Sequence, residues 1–173
     1  MAQKLPNPLP TEPRPPPPPP PPNVANETLY GLNISFEIPG LPVGKGRPRF
    51  ARRGNFVSTY TDSKTASYEN LVKIKAQEVM AGRVAIAGPV QVSVGIWVTP
   101  PASWSQKKQR MALDNKILPT SKPDIDNVIK GIFDAMNDIV WRDDKQVVSV
   151  SAFKLYSGIA QTTVSVKALE ASK

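Results

Sequence analysis

Leu32, Ile34, Phe36 and Ile38 alternate with Asn33, Ser35 and Glu37, a period of two that predicts a strand with one buried face. Val90, Val92, Val94, Ile96 and Val98 repeat the pattern between Pro89 and the prolines at 100 and 101, and predict a second strand. Between them the spacing changes to threes and fours. Tyr68, Leu71, Val72, Ala76, Val79 and Met80 fall on one helical stripe, with Thr61 or Asp62 placed to cap its start and Gly82 to end it. A second stripe follows Pro123 and comprises Ile125, Val128, Ile129, Ile132, Phe133 and Met136. Residues 102–122 form a polar, lysine-containing connection with a short helix from Ser105. Residues 146–156 and 161–169 read as strands joined through Ser157 and Gly158 in a hairpin. The order β-loop-α-β-loop-α-β-β predicts an α+β fold, a single domain with a mixed β-sheet packed against helices. No internal repeat is present.

The pattern starts only near residue 30. Twelve of the 20 prolines lie between Pro6 and Pro22, ending in an unbroken run from Pro15 to Pro22. Such a tract lacks backbone donors and has φ fixed, so residues 1–29 are expected to form a disordered proline-rich arm of polyproline II character, with residues 30–173 as the folded domain. A solvated spacer is the simpler reading of the arm, and a docking peptide for a proline-recognition partner is the other.

Composition narrows the chemistry. The 173 residues include no cysteine and no histidine, which removes disulfides, thiol nucleophiles, histidine bases and tetrahedral zinc sites. What remains is carboxylates, lysines, hydroxyls and a hard, oxygen-preferring ion such as Mg²⁺. The net charge of +8 and a pI near 9.8 draw the protein towards polyanions, nucleic acid above all, although charge alone does not single that partner out. No apolar run is long enough to cross a bilayer and the start lacks a signal-peptide core, so no membrane association and a cytoplasmic location are expected.

Within this basic chain the sign of the charge inverts locally. Asp124, Asp126, Asp134, Asp138, Asp143 and Asp144 are six of fourteen acidic residues. Like charges held together cost free energy unless a cation or hydrogen bonds offset them, and a divalent metal is the economical cause. Asp124 and Asp126 straddle the start of the second helix, where one aspartate could be a simple cap and the other is redundant as one. Lys130, one turn beyond Asp126, is either a surface ion-pair partner or a charge that neutralises a phosphate oxygen. Asp143 and Asp144 sit among ordinary turn formers. A strand running back along the helix would let that turn carry a third carboxylate towards the helix start, completing the oxygen set of a Mg²⁺ nuclease.

Read together, Lys122-Pro123-Asp124-Ile125-Asp126-Asn127, then Lys130, Asp134-Ala135-Met136-Asn137 and Trp141-Arg142-Asp143-Asp144-Lys145-Gln146-Val147-Val148 resemble, in order and spacing, the signature of the RusA family of Holliday-junction resolvases. Phe36-Glu37-Ile38-Pro39-Gly40, Lys45-Gly46-Arg47-Pro48-Arg49 and Tyr60-Thr61 resemble its opening. The resemblance spans about Leu32 to Val166 and leaves the arm outside. It implies a homodimeric, Mg²⁺-dependent crossover junction endodeoxyribonuclease that resolves four-way junction DNA by paired symmetric nicks in recombination and repair. By motif it assigns Asp124, Asp126 and Asp144 as catalytic, metal-binding carboxylates and Lys130 as the catalytic lysine, with Asp143 supporting. Members with an aromatic residue before the first aspartate differ from this chain, which has Pro123 there.

The DNA surface is expected on Lys45, Arg47, Arg49, Arg52 and Arg53, a cationic, glycine-flanked stretch suited to phosphate contacts, although a solvated basic loop would look the same. Lys107 and Lys108, with Arg110, form a second patch. The alternatives are a metal-dependent nuclease acting on other branched DNA or on RNA, and a non-enzymatic junction-binding protein.

Overall fold

The computed structural model describes residues 31–46, 49–53, 56–60 and 62–170; the proline-rich arm and Arg47 lie outside these. Strand β1, Asn33–Pro39, turns Ile34, Phe36 and Ile38 inwards as their alternation predicts. The basic stretch that follows contains a two-stranded antiparallel ribbon, β2 at Arg49–Arg53 and β3 at Phe56–Tyr60. The sequence pattern predicts a loop throughout this stretch. Its charge and its glycines hid two five-residue runs too short to register as a period.

Helix α1, Ser63–Met80, is capped by Asp62, whose side chain accepts from the Lys64 N–H at 3.0 Å. It stops where Ala81, not Gly82, first enters the left-handed region at φ 47°, and Gly82 follows at φ 78°. Strand β4, Val90–Val98, buries each of its alternating valines and Ile96. Helix α2, Gln106–Leu113, begins at Ser105 as expected, and α3 spans Ile125–Met136. A short 3-10 turn at Asp144–Gln146 leads into β5, Val147–Tyr156, and β6, Gln161–Ala168, closes the fold.

The expected hairpin of the last two strands does not form. The sheet order is β1-β6-β4-β5: β4 lies between β5 and β6, parallel to the first and antiparallel to the second. The link between β5 and β6 crosses the end of β4, where Ser157 N–H donates to the Val98 carbonyl at 2.9 Å. Two strand spacings, about 10 Å, are within reach of a four-residue link. Local turn chemistry therefore fixed the reversal of direction and left the pairing partner open.

Helices α1 and α3 cover one face of this mixed sheet. Tyr68 on α1 donates its hydroxyl to Thr162 of β6 at 2.9 Å, both residues being buried, and burial raises the Tyr68 pKa. Trp141, fully buried, meets Phe133 of α3 edge to face and donates its indole N–H to Asn137 at 2.9 Å. These contacts fix the tilt of α3, the helix that carries the acidic pair. No helix among the described residues is long and apolar enough to cross a membrane.

Candidate active site

The start of α3 is built without the usual cap. Asp124 takes the extended N-cap conformation (φ −77°, ψ 138°) and its carbonyl accepts from Val128 N–H at 3.1 Å, but its carboxylate makes no capping bond. Instead one carboxylate oxygen accepts from the Asn127 side-chain amide at 3.4 Å. Asp126 occupies the first turn, and both aspartates are exposed. Placed at the positive end of the helix dipole, both are favoured as carboxylates and both keep lone pairs facing outwards. Lys130 is exposed one turn further on, and among the described residues no ion pair joins it to Asp126.

The other four acids divide by what they touch. Asp134 pairs with the Lys45 ammonium. Asp138 adopts φ 61° in the turn after α3, its N–H donating to the Trp141 carbonyl at 2.7 Å. Asp143 caps the 3-10 turn in a reciprocal box with Gln146, and the Lys145 N–H that it accepts, with the ammonium beside it, holds its pKa below the ordinary range. Asp144, exposed, opens that turn and enters no ion pair among the described residues. Three aspartates thus have local structural work, and Asp124, Asp126 and Asp144 have none comparable.

Within one chain, however, these three do not converge. Strand β5 does run back along α3, as anticipated, and for that reason the turn before it stays by the far end of the helix. Lys154 near the end of β5 donates to the carbonyls of Ser121 and Pro123, at 2.7 and 2.9 Å, which places that end of the strand beside Asp124. Asp144 stands at the opposite end, about 18 Å away along the twelve residues of α3. The expectation that the turn returns a third carboxylate to the helix start is therefore corrected for a single copy. Consistently, the described residues contain no group of three or more carboxylates gathered closely enough to hold a metal ion, so within one protomer the helix start offers two ligand carboxylates and not three.

The basic residues also separate. Lys45, expected to face phosphate, directs its ammonium to Asp134 and lies 3.7 Å from Glu69, and the bond from Asp134 raises its pKa. Its main-chain N–H donates to the Asn127 carbonyl at 2.8 Å, and a Cβ at Gly44 would lie only 3.0 Å from that of Asn127. The segment leading to the ribbon is thereby fastened to the first turn of α3. Arg49, Arg52 and Arg53 all lie on β2, the first strand of the ribbon. Lys107 and Lys108 are exposed on α2, with the Lys108 ammonium 3.9 Å from the centre of the Trp104 ring.

Two contacts that organise this region lie outside the expectations from sequence, those of Lys154 and the pairing of Lys45 with Asp134. Lys154 had a signal, being the one charge in the run Val147–Tyr156 and lying on the helix-facing side opposite Ile96. The pairing of Asp134 with Lys45 had none, because 89 residues separate them.

Comparison with known proteins bears on both ends of this arrangement. Residues 39–167 match the family model described as endodeoxyribonuclease RusA, a span that contains every acidic residue just described. The uncharacterized protein YqaN of Bacillus subtilis (strain 168) is 34% identical over 140 residues, covering 80% of this chain and 98% of that protein. The matched span runs from the end of β1 through most of β6, taking in both helices that cover the sheet, the uncapped acidic helix start and the turn bearing Asp144, and this chain belongs to the RusA endodeoxyribonuclease family.

Proposed function

We propose that this protein is a divalent-metal-dependent endonuclease that resolves four-way DNA junctions, with Mg²⁺ as the ion. The observation that carries the reading is the pair of exposed carboxylates at the start of α3, Asp124 and Asp126, free of capping duty and one turn from an exposed Lys130, in a chain of this family. Asp124 and Asp126 would supply two of the oxygen ligands, and Asp144 of a second copy the third. When bound, the ion would polarise the scissile phosphate and acidify a water molecule. Lys130 offsets negative charge developing on the phosphate oxygens, and Asp143 shapes the turn that presents Asp144. Arg47, Arg49, Arg52, Arg53, Lys107 and Lys108 neutralise phosphates along the arms, so binding weakens steeply with salt.

The reading of a homodimer has support in the shape of β5. This strand is an edge, ten residues long, and residues 147–153 carry no charge. Free edges in monomers are blunted by lysines, prolines or bulges: β1 at the other edge carries Glu37 and Pro39, whereas β5 has an irregularity at Val148 and Lys154 near its end, which leaves residues 149–153 between them as a regular, uncharged edge. Val150 on β5 is 47% exposed on the helix side of the sheet, and Val148, where the pairing with β4 skips a residue, is 62% exposed. Antiparallel pairing of β5 with itself about a two-fold axis would cover them, and it exchanges ends: the start of one strand, with Asp144, comes beside the end of the other, with Lys154 and Asp124. Two acidic centres related by that axis suit two cuts on symmetric strands.

The test is incubation of purified protein with a synthetic mobile junction, with and without Mg²⁺. Paired symmetric nicks only with the ion support the reading. Asp126→Asn is expected to keep junction binding and to lose cleavage by two orders of magnitude or more. Equal cutting of linear DNA, flaps or RNA would point to a broader nuclease, and binding without any cutting would overturn the enzymatic reading.

A further inference from the structure

Lys154 is the one charged side chain on β5, and it faces the helix layer, where its neighbours across β4 are buried valines and Ile96. A half-buried ammonium in such a place calls for acceptors, and it has found two main-chain carbonyls, of Ser121 and Pro123. No carboxylate among the described residues pairs with it. The two carbonyls bracket Lys122, and Pro123 immediately precedes Asp124. The strand holding Lys154 is itself paired with β4 without interruption from Ser149 to Tyr156. In the segment entering α3, residues 120–122 are exposed, and Asp124 makes no capping bond with its own side chain.

We propose that Lys154 is a positioning residue for the acidic pair. It ties the entry to α3 down on the rigid sheet, sets the direction in which the Asp124 carboxylate leaves the chain, and adds a fixed positive charge beside two aspartates that repel one another. The role rests on the reading of Asp124 and Asp126 as the reacting carboxylates, but the restraint itself is independent of it. A methionine at 154 keeps the apolar stem and loses both donors; an arginine keeps charge and donors.

The experiment combines two measurements on full-length wild type, Lys154→Met and Lys154→Arg. Single-turnover cleavage of a mobile junction in Mg²⁺ is expected to fall about 10- to 100-fold in Lys154→Met, with junction binding unchanged, and to recover in Lys154→Arg. Amide hydrogen exchange is expected to quicken at Val128 and Ile129, the first bonded amides of α3, in Lys154→Met alone, while the β4 and β6 amides stay protected. Unchanged exchange at the helix start, or an arginine variant as damaged as the methionine one, would overturn the positioning role. If wild type itself cuts no junction, the functional reading falls and the exchange comparison still decides the restraint. Should Lys154→Met fail to fold, Lys154→Gln, which keeps one donor, is read in the same way.

Discussion

Aspartates of one cluster behave differently because their immediate partners differ. Asp143 accepts from the Lys145 N–H and pairs with its ammonium at 3.2 Å, which favours the charged form and lowers its pKa in the folded state. A lowered carboxylate contributes stability that is fully present above its unfolded pKa, near 3.9, and is lost as pH falls through the lower folded value. Replacing Asp143 with Asn keeps a capping acceptor and removes the charge. The melting temperature of Asp143→Asn is therefore expected to lie slightly below that of wild type at neutral pH, and to converge on it as the solution is acidified below the ordinary carboxylate range. Thermal unfolding followed at several pH values checks this, and a gap that widens in acid would contradict it. Lys45 shows the opposite sign: its raised pKa keeps the ammonium charged through and above the ordinary lysine range, so its pairing with Asp134 does not vary around neutrality.

At the scale of elements the informative strand is β5. It meets α3 only lightly and is paired on one side alone, so its valines protrude beyond the helix layer that covers the rest of the sheet. A lysine on an edge opposes strand addition by burying a charge in any strand pair that forms there. Val150→Lys is therefore expected to leave the fold intact, because Val150 is 47% exposed, while shifting a dimer towards monomer by at least tenfold in dissociation constant. Sedimentation equilibrium measures the shift, and an unchanged association constant would remove β5 from the interface. The Trp97 and Phe153 rings, 5.3 Å apart on the opposite face, leave no room for a Cβ at Gly95 between them.

For the whole molecule the decisive fact is that α3 and β5 run in opposite directions, holding Asp144 and the Asp124–Asp126 pair at opposite ends of one copy. A site shared between copies makes a prediction that a site within one copy cannot. Asp126→Asn and Asp144→Asn, each inactive alone, are expected to regain activity when mixed under conditions that allow exchange of subunits. In half of all mixed pairs' sites both substitutions fall together, and in the other half all native carboxylates meet. Gel analysis of a junction labelled on each strand should then show single nicks in place of paired ones. Failure of the mixture to cut, with exchange demonstrated independently, would exclude a shared site.

The periodicity of apolar residues was enough to determine β1, α1, β4 and α3, since each side chain's face follows from its own neighbours in the chain. The order and spacing of Asp124, Asp126, Lys130 and Asp144 likewise carried the family, because a motif is a property of one dimension. What the chain could not express by itself was which strands lie side by side: β4 separates β5 from β6 through pairing between residues far apart in sequence. Nor could it express the Lys45 and Lys154 contacts, which bridge 89 and 31 residues. The distance between the acidic pair and Asp144 was likewise decided by tertiary structure, for a reversal of direction fixes where a turn points only once the helix before it and the strand after it have packed against each other.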